Sequence, residues 1–354
     1  MQFVPDNKKQ GEHSLKAAKL YALSDIRIED VPVPRVGPKD ALIRTKASGV
    51  CSGDVMQWYI EKKAPLVPGH EPSGEVLETG REVASFRPGD RVFAHHHASC
   101  MKCRSCIRGD YVQCETWANT RIIPGGISEF ILIPRVNLEN DTLIIPDSLT
   151  YEDGTLIEPA ACVVKALKRA CIRSGDTVLV IGLGVMGQLN ILLSRRYGAE
   201  RIIGADMVPF RLGKAIEFGA DAIVDVSRDD ITAAVRELTK GNMADIVIAG
   251  PNSVEVMAKG IECLAPGGTI VFFTPAKPEE KLLLDPNPLY FKDRKIITSY
   301  SCGPTDTAEA LRHIEEGIIR ADKLVTHRFP IDNTAEAFRI TAEARDSLKV
   351  LITF

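Results

Sequence analysis

Four cysteines in the first third of the chain are spaced as the ligands of a metal ion often are. They follow the pattern C-x2-C-x2-C-x7-C, as Cys100, Cys103, Cys106 and Cys114. Thiolates this close in sequence do not easily form unstrained disulfides, but the loops between them can wrap a tetrahedral ion. Four sulfur ligands close the coordination shell, so the pattern predicts a structural zinc site. A nucleic-acid-binding zinc ribbon usually carries two separated C-x2-C knuckles and a basic surface, and the sequence has neither.

A second group of candidate ligands comes from short glycine-flanked or proline-flanked segments that lie far apart in the sequence. Cys51 stands in GVCSGD, His70 and Glu71 in PGHEP, and Glu158 in IEP. One thiolate, one imidazole and one carboxylate would leave the fourth position on zinc open for water or substrate, as in catalytic sites. Single residues of these types are more often structural, so their spacing alone leaves both interpretations open.

A glycine-rich turn in the second half of the chain has the features of a dinucleotide site. The sequence GLGVMG follows the apolar run 178–181 and opens a helical pattern. The first glycine permits a tight turn, the second lets the backbone approach a pyrophosphate, and the third permits close helix–strand packing. The N–H groups at the start of the helix favour an anion. The predicted cofactor-binding positions are Gly182, Gly184, Val185, Met186 and Gly187. Methyltransferases share this motif, so it does not fix the reaction.

An acidic residue follows the turn at the distance that suits recognition of a ribose. Asp206 ends the next predicted strand, 19 residues after Gly187. A carboxylate about 20 residues beyond the motif accepts hydrogen bonds from the adenosine ribose and repels a 2′-phosphate. NAD is therefore the predicted cofactor rather than NADP. Arg211 qualifies this prediction, because a nearby arginine can hold a 2′-phosphate or can instead flank the adenine.

The elements that must position these residues divide the chain into two parts. Up to about residue 160, short alternating or apolar runs separated by turn signals indicate an irregular β-rich domain. From about residue 165, apolar strands alternate with helical patterns, which indicates an α/β domain with a parallel sheet covered on both faces. After Cys302 the sequence predicts one helix, 307–319, and a final strand, 348–354.

Length and composition limit the function classes. The 354 residues exceed one compact core, so two domains are expected. A net charge of −3 offers no field for nucleic acid or an acidic membrane, and no apolar run approaches the roughly 18 residues of a membrane span. The polar start of the chain lacks the apolar stretch of a signal peptide, so a cytoplasmic protein is expected. Nine cysteines in a reducing compartment are then inert, metal-bound or catalytic rather than paired.

The motifs together resemble the zinc-containing medium-chain dehydrogenases, which include sorbitol, threonine and alcohol dehydrogenases. The resemblance is carried by GVCSGD, PGHEPSGEV, the four-cysteine segment, GGISEF, IEPAACVVKAL, GLGVMG and the final LKVLITF. It implies a GroES-like catalytic domain, residues 1–163 and 303–354, and a doubly wound Rossmann NAD-binding domain, residues 164–302. It also implies two zinc ions per chain and a homodimer or homotetramer.

The same resemblance implies roles for individual residues. Cys51, His70 and Glu158 correspond to catalytic zinc ligands, and Glu71 to an acid that can approach or replace a ligand. Asp54 corresponds to the carboxylate that orients the ligand histidine, a role with a physical reason. Lys349 corresponds to a basic residue that contacts the cofactor pyrophosphate.

The chain departs from the family where a proton usually leaves the substrate. Many relatives have Ser or Thr two residues after the ligand cysteine, and this chain has Gly53, with Ser52 one place early. Met56 replaces the histidine that continues the relay in classical alcohol dehydrogenases. A zinc-held water, Ser52, Glu71 or a nearby histidine would have to replace that relay.

Three further residues are candidates for the substrate pocket. By the resemblance, His96 occupies a position that is an apolar wall in alcohol dehydrogenases, where a histidine suits a polar substrate and could move a proton near neutral pH. A solvated or packing histidine is the alternative. Trp58 corresponds to an aromatic near the polyol site, or it belongs to the core. Cys162 is expected beside the nicotinamide rather than on zinc.

The predicted reaction is the reversible oxidation of a secondary alcohol to a ketone, with zinc as Lewis acid and NAD as hydride acceptor. The expected substrate is a polyol, a sugar alcohol or a hydroxy-amino compound. A simpler aliphatic or aromatic alcohol is the alternative substrate. A non-catalytic NAD(H)-binding redox sensor is the alternative class, and an open metal position disfavours it.

Overall fold

The computed structural model describes residues 14–354, so the polar start of the chain, residues 1–13, lies outside the described residues. The first part of the chain contains seven strands and six α-helices. The strands are β1 (Ser14–Ala22), β2 (Asp25–Pro32), β3 (Ala41–Val50), β4 (Pro72–Thr79), β5 (Arg91–Ala94), β6 (Phe130–Ile133) and β7 (Thr142–Ile144). The helices are α1 (Gln57–Ile60), α2 (Arg104–Ile107), α3 (Glu115–Asn119), α4 (Arg135–Asp141), α5 (Tyr151–Thr155) and α6 (Ile157–Ala170).

The second part alternates strands with helices, as its sequence predicts. Its elements are β8 (Thr177–Ile181), α7 (Val185–Ser194), β9 (Arg201–Asp206), α8 (Pro209–Glu217), β10 (Ala222–Asp225), α9 (Ile231–Leu238), β11 (Ala244–Ala249), α10 (Val254–Glu262), β12 (Leu264–Phe272), α11 (Pro286–Tyr290) and β13 (Lys295–Thr298). The strands form one parallel sheet in the order β10-β9-β8-β11-β12-β13. In such a sheet, ligands bind beyond the carboxyl ends of the strands where the strand order reverses. That point lies between β8 and β11.

The remaining elements return to the first sheet. They are α12 (Pro304–Glu315), α13 (Ala321–Leu324), β14 (Val325–Pro330), α14 (Thr334–Glu343) and β15 (Lys349–Thr353). The seven-stranded sheet has the order β14-β15-β3-β4-β5-β7, with β6 paired to β3. β15 runs antiparallel to β3, and Val350 pairs with Val50. This register places Lys349 beside the end of β3, where Cys51 begins the next turn.

Helix α6 connects the two parts of the molecule. Its alanine, valine and leucine side chains are buried against α7 and α12, and this buried cluster includes residues of both sheets. Glu158 and Pro159 stand in the first turn, where proline costs no hydrogen bond. The helix ends at Cys171, which has the left-handed conformation typical of a helix C-terminus. The helix therefore carries Glu158 into the space between the two sheets.

The structure corrects two sequence predictions. The part after Cys302 contains three α-helices among the described residues, not one, and the first spans Pro304–Glu315 rather than 307–319. The helical pattern of the sequence also predicts a helix over 254–264, but the helix ends at Glu262 and β12 begins at Leu264, with a register shift against β11. The domain limits at residues 163 and 302 stay a proposal, since α6 continues through the first of them.

Candidate active site and structural metal centre

The four cysteines of the first motif converge on one point. Their sulfur atoms all lie within 4.8 Å of one another, with Sγ–Sγ distances of 3.5 Å between Cys103 and Cys106 and 3.9 Å between Cys100 and Cys106. Zinc–sulfur bonds of about 2.3 Å in a tetrahedron place the sulfurs about 3.8 Å apart. A disulfide requires about 2.05 Å, so these are free thiols arranged as a metal site. The group fits a closed, structural zinc ion.

The segment around these cysteines has little apolar core of its own. Its buried cluster consists of Cys106, Val112, Cys114 and Trp117, with the other two cysteines and Tyr111 packed against it. A cluster this small cannot offset the conformational entropy of ordering the surrounding loops. Metal coordination is the interaction that would hold this cysteine lobe, residues 100–117, in place.

A second donor set forms where β3 ends. Ligand atoms of Cys51, His70 and Glu71 lie within 4.8 Å of one another. Cys51 caps a short 3-10 turn, Ser52–Val55, and its Sγ accepts a hydrogen bond from the Gly53 N–H at 3.3 Å. An N–H group directed at sulfur favours the thiolate that a metal requires. The thiolate, imidazole and carboxylate of this set fit a zinc ion with one position left open.

Charged groups behind this donor set hold it in place. Asp54 is buried, and its carboxylate lies 3.5 Å from His70 Nδ1, where it can orient the ring. Burial alone would lower the pKa of His70, but Asp54 and Cys51 raise it well above its usual range.

Glu71 forms a fully buried ion pair with Lys349, whose Nζ also donates to the Val50 carbonyl at 3.2 Å. Both side chains occupy the space that a Cβ atom on Gly49 would need. The sequence predicted Lys349 as a pyrophosphate contact, but here its ammonium lies against the metal donors. The pyrophosphate contact stays a prediction.

Glu158 belongs to a different group from the one expected. Its carboxylate lies within 4.8 Å of ligand atoms of His95 and Cys302, and it accepts a hydrogen bond from the Cys162 thiol at 3.3 Å. In this structure the compact donor set is Cys51, His70 and Glu71, and the role of Glu158 as a zinc ligand stays a prediction. Both groups line the same cavity, so Glu158 faces the metal donors across it.

The buried residues around Glu158, which are His95, Asp141 and Cys302, were not predicted as site residues from the sequence. His95 Nδ1 lies 2.6 Å from the Asp141 carboxylate, and Asp141 also accepts a hydrogen bond from the Thr307 hydroxyl at 2.6 Å. His95 Nε2 points to the Cys302 thiol at 3.8 Å. Burial lowers the pKa of His95, but Cys302 and Asp141 more than reverse this and leave it well above its usual range. The run of three histidines was the one sequence signal, since nothing local marks Asp141 or Cys302.

The glycine turn has the geometry that its motif predicts. Gly182 has φ of +86°, which side chains rarely adopt, and a Cβ on Gly187 would collide with the Gly182 carbonyl. Gly184 instead borders open space, and only the Arg211 guanidinium reaches 4.0 Å from its Cβ position. An anionic group of a dinucleotide fits that space, beside the N-terminus of α7. Met186 lines the cavity that contains the metal donors.

Asp206, at the end of β9, can both hold the glycine turn in place and contact a cofactor ribose. Its carboxylate accepts hydrogen bonds from the N–H groups of Leu183 at 2.6 Å and Val208 at 2.9 Å, so it holds the glycine turn against β9. Arg211 Nη1 lies 3.8 Å from the same carboxylate, and its Nη2 donates to the Ala344 carbonyl. The carboxylate therefore stands beside the turn, as a residue that contacts a ribose should.

One cavity of about 500 Å³ joins the metal donors to residues from the second sheet, among them Met186 and Phe273. Ser52, Gly53, Met56, His96 and Cys162 also line it. Trp58 is not among the lining residues and packs on Tyr59 instead.

His96 faces the cavity with its Nδ1 buried and without a hydrogen-bond partner among the described residues. Burial, with His97 close by, lowers the pKa of His96 well below its usual range, so the ring is neutral at pH 7. A neutral histidine can hydrogen-bond a hydroxyl, but proton transfer near neutral pH, which the sequence suggested, is disfavoured.

No helix among the residues described is long and apolar enough to cross a membrane. Residues 37–143 match the alcohol dehydrogenase GroES-like domain, and residues 185–316 match the zinc-binding dehydrogenase family. A sorbitol dehydrogenase from Bombyx mori is 31% identical over 95% of this chain and 97% of its own length. An L-threonine 3-dehydrogenase from Rhizobium etli is 31% identical over 88% of this chain and 90% of its own.

A Sinorhizobium meliloti protein solved with NADP bound has a TM-score of 0.87 at 27% identity, covering 97% of this chain and 100% of its own. These matches confirm the fold class that the motifs predicted, a GroES-like domain combined with a parallel α/β sheet. The chain belongs to the zinc-containing medium-chain dehydrogenases, a family of oxidoreductases that act on alcohols.

Proposed function

We propose that this protein oxidises a secondary alcohol of a polyol, sugar alcohol or hydroxy-amino compound, with NAD as hydride acceptor. One observation carries the proposal. A single cavity is lined both by the donor set Cys51, His70 and Glu71 and by Met186, which stands directly before the third glycine of the dinucleotide turn. A substrate in that cavity would contact the metal donors and the cofactor side together.

The proposed metal ligands are Cys51, His70 and Glu71, with Glu158 opposite them. A zinc ion bound there supplies a Lewis acid that lowers the pKa of a coordinated hydroxyl. Asp54 keeps the His70 ring in the orientation for binding. The Lys349 ammonium pairs with the Glu71 carboxylate, so it offsets part of the negative charge of the donor set.

Glu158 is the proposed acceptor of the hydroxyl proton. It replaces the missing relay at Gly53 and Met56, because its carboxylate faces the same cavity. The Cys162 thiol donates a hydrogen bond to Glu158, and His95 lies within 4.8 Å of the same carboxylate. His95 is therefore a positioning residue that Asp141 holds in place. Ser52, exposed at the cavity wall, is the alternative path for the proton to solvent.

Asp206 is the basis for proposing NAD. Its carboxylate lies beside the glycine turn and would repel a 2′-phosphate. Arg211 lies next to it and is the residue that would weaken this preference. The S. meliloti relative binds NADP, so cofactor choice varies among similar proteins and must be tested here.

The proposal also covers the substrate class, the cellular location and the assembly of the protein. Sorbitol and threonine dehydrogenases among the relatives support a small polar alcohol as substrate, and Ser52 and His96 in the cavity lining can hydrogen-bond its hydroxyl groups. A cytoplasmic protein that assembles as a homodimer or homotetramer is the proposal that goes with this function.

A spectrophotometric assay with zinc-loaded protein tests the proposal. Sorbitol, ribitol, L-threonine, 2,3-butanediol and benzyl alcohol are each supplied with NAD or NADP, and reduced cofactor is followed by absorbance. We expect at least one polyol or hydroxy-amino compound to exceed benzyl alcohol in kcat/KM. NAD should exceed NADP by about tenfold or more, which equals about 1.4 kcal/mol. Asp206→Ala should narrow that preference, and equal use of NADP by the unaltered protein would contradict the assignment of Asp206.

A further inference from the structure

The outer part of the active-site cavity carries positive charge without an acidic partner. Lys63 and Arg121 both line the cavity, together with Tyr59, Trp117 and Tyr300. Neither cation lies within 4.0 Å of a carboxylate anywhere in residues 14–354. Other surface arginines, such as Arg195 and Arg328, are paired with an acid at 2.8 and 2.6 Å.

Arg121 is held in a fixed orientation by backbone groups rather than by an acid. Its Nη1 donates to the Ala118 carbonyl at 2.9 Å and to the Thr120 carbonyl, and it lies 3.0 Å from His97 Nδ1. Its Nε and Nη2 make no hydrogen bond within the described part of the chain. One edge of the guanidinium is therefore anchored, and the other edge is free to bind an anion in a bidentate manner.

Lys63 stands beside the same space on a different segment. Its Nζ lies 3.8 Å from the centre of the Tyr59 ring, which fixes the ammonium against the cavity wall. Partial burial lowers the pKa of Lys63, Tyr300 and Asp54 raise it, and the like charge of Arg121 lowers it, so the two cations face one region. A bound anion would relieve this repulsion.

None of the acids that line the cavity forms an ion pair with Lys63 or Arg121. Asp54, Glu71 and Glu158 are the lining carboxylates, and each is engaged near the metal donors. Asp54 lies against His70, Glu71 against Lys349, and Glu158 accepts from Cys162. The cavity is therefore polarised, with metal donors at one end and two unpaired cations with neutral aromatic side chains at the other.

We propose that the substrate is an alcohol that carries an anionic group, a phosphate or a carboxylate, at the end away from the oxidised carbon. Arg121 binds this group through Nε and Nη2, and Lys63 contributes a second positive charge. The inference deepens the proposed function and rests on it, because it assumes that the hydroxyl is oxidised at the metal donors. A neutral polyol fills the same cavity but leaves both cations without a partner.

The test compares matched substrates on the zinc-loaded protein with saturating NAD. D-Sorbitol, D-sorbitol 6-phosphate and D-gluconate differ in whether they carry a negative charge and in its type. Charge-assisted hydrogen bonds from an arginine are worth about tenfold to a hundredfold in affinity. We expect the better of the two anionic compounds to exceed sorbitol by about that factor in kcat/KM, mainly through a lower KM. The comparison of phosphate with carboxylate shows which anion the site takes.

Variants separate a binding site from general surface charge. Arg121→Gln should lower the ratio of anionic to neutral kcat/KM by about tenfold or more, and Lys63→Met by a smaller factor. Arg81→Gln is the matched control, because Arg81 is 82% exposed and absent from the cavity lining, and it should keep the ratio. A thermal-shift titration with sorbitol 6-phosphate provides a readout without turnover, and its stabilising effect should disappear in Arg121→Gln.

The outcomes distinguish this inference from the proposed function. Oxidation of sorbitol with no advantage for either anionic compound would overturn the inference and leave the proposed function intact. A ratio that falls equally in Arg81→Gln would also overturn it. Binding of sorbitol 6-phosphate that depends on Arg121, without oxidation of any alcohol, would retain the anion site and contradict the proposed function.

Discussion

The cysteine lobe and the active-site cavity both gather metal donors, but they do so in opposite ways. The lobe takes four identical ligands from one short segment. The cavity takes different ligands from the end of β3 and the loop before β4. The lobe has almost no apolar core, whereas the cavity donors rest on a well-buried framework. A closed site made of local ligands can contribute folding energy, and an open site assembled by the fold can bind substrate. Removing ligands from the two regions should therefore damage different properties.

The largest effect is expected in the lobe. Cys103→Ser should remove one zinc per chain and lower the free energy of unfolding by more than about 4 kcal/mol, because structural zinc contributes about 10–16 kcal/mol of apparent binding energy. Metal analysis and thermal unfolding measure both changes. Cys171→Ser, an exposed cysteine outside both metal groups, is the control and should change neither. Retention of both zinc ions by Cys103→Ser would show that the lobe does not hold a metal.

The same kind of change in the cavity should affect turnover rather than folding. His70→Ala should lower kcat/KM by about a thousandfold or more, equal to about 4 kcal/mol, while the melting temperature changes little. Metal content should fall by one zinc from the open site. If His70→Ala destabilised the protein as strongly as Cys103→Ser, the contrast between the two regions would be wrong.

The buried ion pair offers a sharper comparison within the cavity. Lys349→Met leaves Glu71 buried without its partner, which should cost about 3 kcal/mol of stability. Gly49→Ala perturbs the same pair sterically, because its Cβ would occupy the space of Glu71 and Lys349. Denaturant unfolding measures both. The double variant Glu71→Gln/Lys349→Met should recover part of the lost stability but not turnover. Full activity in Lys349→Met would show that the pair has no influence on the metal donors.

The smallest effect concerns His96. His96→Phe should lower kcat/KM for polyols by about tenfold, about 1.4 kcal/mol, through loss of a hydrogen bond to a substrate hydroxyl. Burial lowers the pKa of His96, so the ring stays neutral and the loss should be the same from pH 6 to 9. His96→Gln, which keeps a hydrogen-bonding group, should lose less. A pH profile whose acidic limb shifts in His96→Phe would contradict the neutral assignment.

The two regions also differ in how far the sequence could predict them. The cysteine spacing and the glycine turn are local patterns, and the structure places both as expected. The sequence did not predict that Glu158 groups with His95 and Cys302, because its position depends on how α6 sits between the two sheets. His95, Asp141 and Cys302 meet only through tertiary packing, so no spacing rule connects them.

The anion-binding role proposed for Arg121 and Lys63 could not be predicted from the sequence either. In the sequence they are ordinary basic residues, and only their shared place in the cavity lining distinguishes them from solvated surface charges. Helix α14 was missed for a different reason, since its polar stretch packs one apolar face on β15.

The pairing of β15 with β3 has a consequence for how the protein is made. Lys349 Nζ and the Val50 carbonyl are 299 residues apart in the chain, yet they meet beneath the metal donors. Domains tend to fold as the ribosome releases them, from the amino-terminal side onward. Cys51, His70 and Glu71 therefore emerge early but lack the counter-charge of Lys349 until almost the whole chain has been translated. We expect zinc to enter this site late in biosynthesis, whereas the cysteine lobe, whose ligands emerge together, can take up its ion while translation continues.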